Sequence, residues 1–189
     1  MLRRVVISIL CLYAAAVAPY ALSNDVDNTR KSIKKEELLT LTNLQHVNVK
    51  SKTNCTPIVI MVSQFSCAYC DKLKKFVFIP IIRSGEFTDK AVFRELLIDP
   101  NEMILDENGL EILGAKFAKK YIDNILTPTV LFLDSSGNEL AERIIGIGNI
   151  DFYESYFEQS LADANSIMKK NCRPSISVDE LALSKRKVN

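Results

Sequence analysis

The chain has 189 residues, 24 Lys plus Arg against 23 Asp plus Glu, and is 48% apolar and 25% charged. That length suits one domain of ordinary size plus a targeting segment, and the composition excludes a largely disordered chain. The near-neutral balance also argues against a nucleic-acid binder, because no excess of cations is available to neutralise phosphates.

Arg3 and Arg4 precede an almost wholly apolar run from Val5 to Ala18, and Ala21 and Ser23 put small side chains just before Asn24. A basic end, a short apolar core and a small-residue exit predict a secretory signal peptide over residues 1–23, cleaved before Asn24. The apolar run is short for a membrane span, so no stable membrane insertion is expected once the signal is removed; an uncleaved amino-terminal anchor is the alternative. The expected location is the periplasm or another secreted compartment. Cys11 leaves with the signal, and Cys55, Cys67, Cys70 and Cys172 remain in a compartment where disulfides persist, with three pairings open.

Residues 24–52 read as an amino-terminal extension. Leu38, Leu41 and Leu44, widened by Leu39, predict an amphipathic helix over 36–46, and the polar stretch 48–54 reads as a connection. Ile58 to Val62 is a β-branched run without a polar interruption, which suits a strand buried on both faces. Cys67 then opens a helical pattern with Leu73, Phe76 and Val77 on one face, and Pro80 is expected to end or kink it. Residues 91–98 look like a second strand, closed by Asp99-Pro100. Residues 101–109 read as a polar loop and 110–121 as a helix with Leu113, Phe117 and Tyr121 spaced by four. Val130 to Leu133 is a third strand, and turn chemistry at 134–138 returns the chain through a strand at 139–145. The last helix is expected from Asp151, its cap, to Lys169, with Phe152, Tyr156, Phe157, Leu161 and Ile167 on its apolar face. Residues 173–189 read as a flexible tail. Strands interleaved with helices predict an α/β sandwich with a mixed central sheet.

The chemistry concentrates at Cys67-Ala68-Tyr69-Cys70. Two cysteines three apart at a helix start lie on one face, within reach of a disulfide. Unpaired amides and the positive dipole end favour a thiolate at Cys67, making it both nucleophile and leaving group. Cys67 is therefore expected to attack a substrate disulfide, and Cys70, one turn in, to resolve the mixed disulfide. A closed zinc site would need four ligands, but the sequence has no second short-spaced Cys or His pair, and the only histidine is His46, on the expected first helix. The same two cysteines taken as soft copper(I) ligands, in a metallochaperone or binding module, are the alternative.

Leu126-Thr127-Pro128-Thr129 before the third strand gives the chain a specific likeness. With the dithiol opening a helix after a buried strand, the chain resembles the thioredoxin superfamily from about Thr53 to Lys169, with 53–172 as the domain. The resemblance implies a three-layer α/β/α fold with Pro128 in the cis form facing the dithiol. It also implies that Thr127, Pro128 and Tyr69 contact an extended protein substrate, strand to strand. Ser66 to Cys70, Asp99-Pro100, Thr127-Pro128-Thr129, and Leu133-Asp134 with Gly137 are most similar to the exported thioredoxin-like group associated with sulfur oxidation. Three features depart from thioredoxin itself: no tryptophan precedes Cys67, no Gly-Pro separates the cysteines, and Met61 stands where thioredoxin has a buried acid. The family topology further implies a structural Cys55–Cys172 disulfide at the end of the sheet away from the dithiol. The activity implied is thiol:disulfide exchange with protein substrates and an upstream redox partner, needing no cofactor and no metal.

Overall fold

The computed structural model describes residues 37–172; the expected signal segment and the 173–189 tail lie outside the described residues. β1 (Ile58–Ser63) is buried along its whole length because it is central. On one side it pairs in parallel with β2 (Val92–Leu97), Ile58 opposite Val92 and Ser63 opposite Leu97. On the other it pairs antiparallel with β5 (Thr129–Leu133), which pairs in turn with the short β6 (Ile144–Ile145). The order β2-β1-β5-β6 makes a mixed sheet.

Alternation along β1 divides the interior in two. Val59 and Met61 enter a core with Cys70, Phe78, Tyr153 and Phe157, while Ile58, Ile60 and Val62 enter a second with Leu96, Phe117 and Leu131. Helices cover both, giving the three-layer α/β/α sandwich. In the first core the Phe157 ring meets Phe78 at 5.6 Å and Phe132 at 5.8 Å between centroids, distances at which aromatic pairs attract.

Several elements differ from the sequence expectation. The helix expected over 36–46 begins only at Leu44: α1 spans Leu44–Asn54, capped by Asn43, whose side chain accepts the His46 amide proton. Before it the chain is extended and flanks β2 on the side away from β1. Glu95 N–H donates to Leu39 O at 2.9 Å, and Leu41 N–H donates to Glu95 O at 2.7 Å. A leucine every third position buries Leu38, Leu41 and Leu44 equally well through an extended segment that turns into a helix. The polar residues 48–54 are helical because only Val47 and Ser51 need cover there.

From Cys67 the chain runs as α2 (Ala68–Leu73), a π-helical turn (Lys74–Phe78) and α3 (Ile79–Ser84), closed by Gly85 at φ 71°. Pro80 does not end this run. The wide turn, with Ile79 N–H donating to Lys74 O, lies just upstream, where proline's ring and missing amide proton would otherwise disrupt a regular ladder. The extra residue rotates the register, so Phe78 is buried and Phe76 is exposed.

Residues 101–121 are also rearranged. Asp106 Oδ1 accepts the amide protons of Asn108 and Leu110, forming a tight turn. That turn pairs β3 (Met103–Leu105) with β4 (Glu111–Leu113). The helix expected from Leu110 is only α4 (Gly114–Ala118). It begins at a glycine because a Cβ on Gly114 would collide with the Leu97 carbonyl. The returning strand expected over 139–145 shrinks to β6 and a single bridge between Leu133 and Glu139. The last helix, α5 (Ile150–Asn171), is capped by Asn149 rather than Asp151. Its buried face is Tyr153, Phe157, Leu161, Ala164 and Met168, and Phe152, Tyr156 and Ile167 face outward.

Candidate functional site

The carboxyl ends of β1 and β2 and the start of β5 lie at one end of the sheet, and the loops leaving them build the site. The β-branched run of β1 stops at Ser63, and Gln64 to Ser66 carry the chain to Cys67, which caps the helical run 68–84 with extended backbone (φ −118°, ψ 93°). Cys67 and Cys70 are joined by a disulfide with a Cα–Cα separation of 5.2 Å. Cys70 is fully buried, while Cys67 is half-buried. The Cys70 amide N–H donates to Cys67 Sγ at 3.1 Å. After reduction that donor and the other free amides of the first turn face developing negative charge on Cys67, which lowers the cost of its thiolate.

Two hydrogen bonds pin the approach to Cys67. Asp99 Oδ2, just beyond β2, accepts the Phe65 amide proton at 2.9 Å. Thr127 Oγ1 donates to Gln64 Oε1 at 3.0 Å, tying the loop before Cys67 to the loop before β5. The Thr127–Pro128 peptide is cis. Pro128 is buried, and its carbonyl accepts from Gly146 N–H at 2.8 Å. The structure thus brings Thr127 and Pro128 to the dithiol's end of the sheet. Tyr69 is 63% exposed and stands at this end with Phe65, 64% exposed, and Leu126, 60% exposed, so the site is an open apolar rim.

Cys55 and Cys172 are joined by a second disulfide, with a Cα–Cα separation of 5.6 Å and a sequence separation of 117. They lie before β1 and after α5. His46 is exposed on α1, and no group of three or more His, Cys, Asp or Glu side chains suited to a metal gathers among the described residues.

Sequence reasoning missed several polar residues that the fold brings to this region. Asp99 and Gln64 position the loop, and their roles depend on partners 34 and 63 positions away. Glu95 is buried opposite Met61 in the register of β1 and β2, with Lys74 Nζ 3.0 Å from its Oε1. Its signal was present: a carboxylate that sits beside Arg94, between the apolar pair Val92-Phe93 and the apolar run Leu96-Leu97-Ile98, needs a partner if it is buried. Burial pulls the Lys74 ammonium down, but its contacts with Glu95 and Asp71 outweigh that and hold its pKa above the ordinary lysine value.

The family model for a thioredoxin-like domain matches residues 44–161. Comparison with the curated proteins gives no match. Among solved structures, the chain is similar to a putative disulphide-isomerase from Bacteroides thetaiotaomicron, at 18% identity and a TM-score of 0.48, over 66% of this chain and 94% of that one. It is similar to oxidised thioredoxin O2 from Arabidopsis thaliana, at 17% identity and a TM-score of 0.46, over 68% and 97%. It is also similar to the reduced periplasmic thioredoxin SoxS from Paracoccus pantotrophus, at 17% identity and a TM-score of 0.39, over 57% and 98%.

Proposed function

We propose, from the premise that this chain belongs to the thioredoxin-like domain family, that it is an exported thiol:disulfide oxidoreductase acting on protein substrates. Its activity is thiol–disulfide exchange. The observation that carries it is the Cys67–Cys70 pair at a helix start, with one sulfur half-exposed and the other buried. In the reducing direction Cys67 thiolate attacks a substrate disulfide, and Cys70 then attacks Cys67 Sγ and releases the substrate thiol. The pair is left oxidised, so an upstream partner supplies two electrons per turnover.

Thr127, Pro128 and Tyr69 form the substrate-binding surface in this reading. Thr127 presents its backbone to an extended stretch of protein, and Tyr69 lays an aromatic ring beside it. The basic and apolar pattern of residues 1–23 supports export, with periplasmic or secreted action after cleavage before Asn24. Among the described residues no helix is long and apolar enough to cross a membrane. The exported thioredoxin-like proteins associated with sulfur oxidation are the group we place nearest, on Ser66 to Cys70, Asp99-Pro100 and Thr127-Pro128-Thr129.

Insulin reduction tests the exchange reading. Catalytic amounts of the protein are expected to accelerate precipitation of the insulin chains by dithiothreitol. A wild-type protein no faster than the reductant alone would overturn it. Fusing residues 1–30 to a reporter enzyme that is active only outside the cytoplasm tests export, and a silent fusion counts against it.

A further inference from the structure

Pairing between β1 and β5 ends at Val62 opposite Thr129. Beyond it the chain leaves β1 through residues 64–66 and enters β5 through residues 126–128, so two loops stand at the dithiol's end of the sheet with no ladder between them. Among the described residues one hydrogen bond joins these loops, from Thr127 Oγ1 to Gln64 Oε1 at 3.0 Å. Gln64 is exposed and Thr127 half-buried, so water competes for that bond and the fold gains little from it. Each loop also has an anchor of its own. Phe65 N–H donates to Asp99 Oδ2 at 2.9 Å, and Thr129 Oγ1 donates to Leu126 O at 2.6 Å. A link that neither loop needs for its own fold, placed beside the reacting sulfurs, calls for another use.

A glutamine carboxamide carries one acceptor oxygen and two N–H donors. Thr127 takes the oxygen of Gln64, and the two donors on Nε2 have no partner among the described residues. An exposed glutamine ordinarily samples several rotamers. This one is held through its oxygen, so its NH2 group stays beside Thr127, three positions before Cys67. Thr127 has an unfilled set of its own. Neither its N–H nor its carbonyl oxygen bonds to another described residue, and Pro128, next in the chain, has no N–H. An open main-chain unit and a fixed pair of side-chain donors therefore lie together. An extended polypeptide laid along Thr127 brings one carbonyl acceptor per residue past those donors.

We propose that Gln64 is a specificity-determining residue. With its oxygen held by Thr127, its Nε2 donates to a main-chain carbonyl of an extended polypeptide substrate, so disulfides within polypeptides are favoured over small disulfides that have no main chain. The inference rests on the exchange reading above. Gln64 touches no sulfur and moves no proton. Its bond to the substrate forms on binding and persists through the exchange, so it lowers the half-saturating substrate concentration and leaves the plateau rate alone.

Two oxidants separate recognition from chemistry. The full-length protein, with Cys67 and Cys70 reduced, is mixed with excess insulin or with excess bis(2-hydroxyethyl) disulfide, which has no main chain. Acid quenching at intervals and mass spectrometry follow the loss of the dithiol. The readout is the ratio of the two second-order rate constants, in which a change in the reactivity of Cys67 itself cancels. All the variants are uncharged at the substituted position, so the charge of insulin does not enter the comparison.

In Gln64→Leu the ratio of insulin to small disulfide should fall about tenfold, the loss that one neutral hydrogen bond accounts for. The fall should come from a higher half-saturating insulin concentration at an unchanged plateau. Thr127→Val frees the Gln64 side chain, and its ratio should fall about threefold, the cost of ordering that side chain again on binding. Thr127→Ser keeps the hydroxyl and should hold the wild-type ratio. Because the two residues act as one unit, Gln64→Leu combined with Thr127→Val should fall no further than Gln64→Leu alone. An unchanged ratio in Gln64→Leu, slowing by the same factor with both disulfides, or full additivity in the double variant would overturn the inference. A wild-type dithiol inert to both disulfides would instead sink the exchange reading beneath it.

Discussion

The two disulfides bracket β1, Cys55 shortly before it and Cys67 shortly after it, and they are built on opposite ends of helices. Cys67 caps the start of the run 68–84, with an amide proton aimed at its sulfur. Cys55 ends α1 in the left-handed conformation (φ 52°, ψ 45°), and Cys172 ends α5. The Lys52 carbonyl oxygen lies 3.9 Å from Cys55 Sγ and 3.7 Å from Cys172 Sγ. A thiolate is stabilised by the first environment and repelled by the second. Sequence separation divides them further. Three positions close almost no loop, whereas 117 constrain nearly the whole described fold. Bond chemistry is the same at both ends of the strand, and helix polarity and loop length sort exchange from stapling.

The largest expected effect comes from removing the nucleophile. Cys67→Ser should reduce insulin no faster than reductant alone, while its denaturation midpoint stays near that of the reduced wild type. The paired replacement Cys55→Ser with Cys172→Ser should do the converse. Stability should fall by about 2–5 kcal/mol in urea titration, with insulin reduction retained by the folded fraction. If that variant lost exchange at full folding, the division of labour between the bridges would fail. Reactivity sharpens the contrast. With both bridges reduced in the folded protein, iodoacetamide near pH 7 should label Cys67 at least about tenfold faster than Cys55 or Cys172, as read by peptide mass mapping; equal rates would remove the polarity argument. A smaller effect is expected from Asp99→Ala, which releases the Phe65 amide. A loss of about 1 kcal/mol with slower insulin reduction should leave the Cys55–Cys172 bridge intact, and unchanged kinetics would show that the loop needs no such anchor.

The parts of the fold legible in the sequence are those where one local pattern has one structural solution. Ile58 to Val62 cannot be satisfied outside a buried strand, and a CxxC directly after it marks a strand-to-helix junction. The elements misread are those whose pattern has two solutions. Leucine at every third position fits both a helix and an extended segment that turns at Asn43, and tertiary pairing with Glu95 decides between them. At 101–113 the side-chain turn at Asp106 and the Gly114 approach to Leu97 decide, neither of which is visible from periodicity. The site divides in the same way. Cys67, Cys70 and Pro128 announce themselves by residue type and spacing. Gln64, Glu95 and Asp99 become significant only when partners distant in sequence arrive.

The extended stretch through Leu39 and Leu41 has a consequence for how the molecule behaves in a crowd. It occupies both main-chain hydrogen-bonding groups of Glu95, in the middle of a strand that would otherwise border solvent. A bare strand of that kind is a template for a second molecule, and proteins ordinarily blunt it. A protein shortened to begin at Asn43 keeps the dithiol, the proline and the helices, but exposes that template. Its expected failing is self-association through β2, seen as a concentration-dependent rise in mass by light scattering.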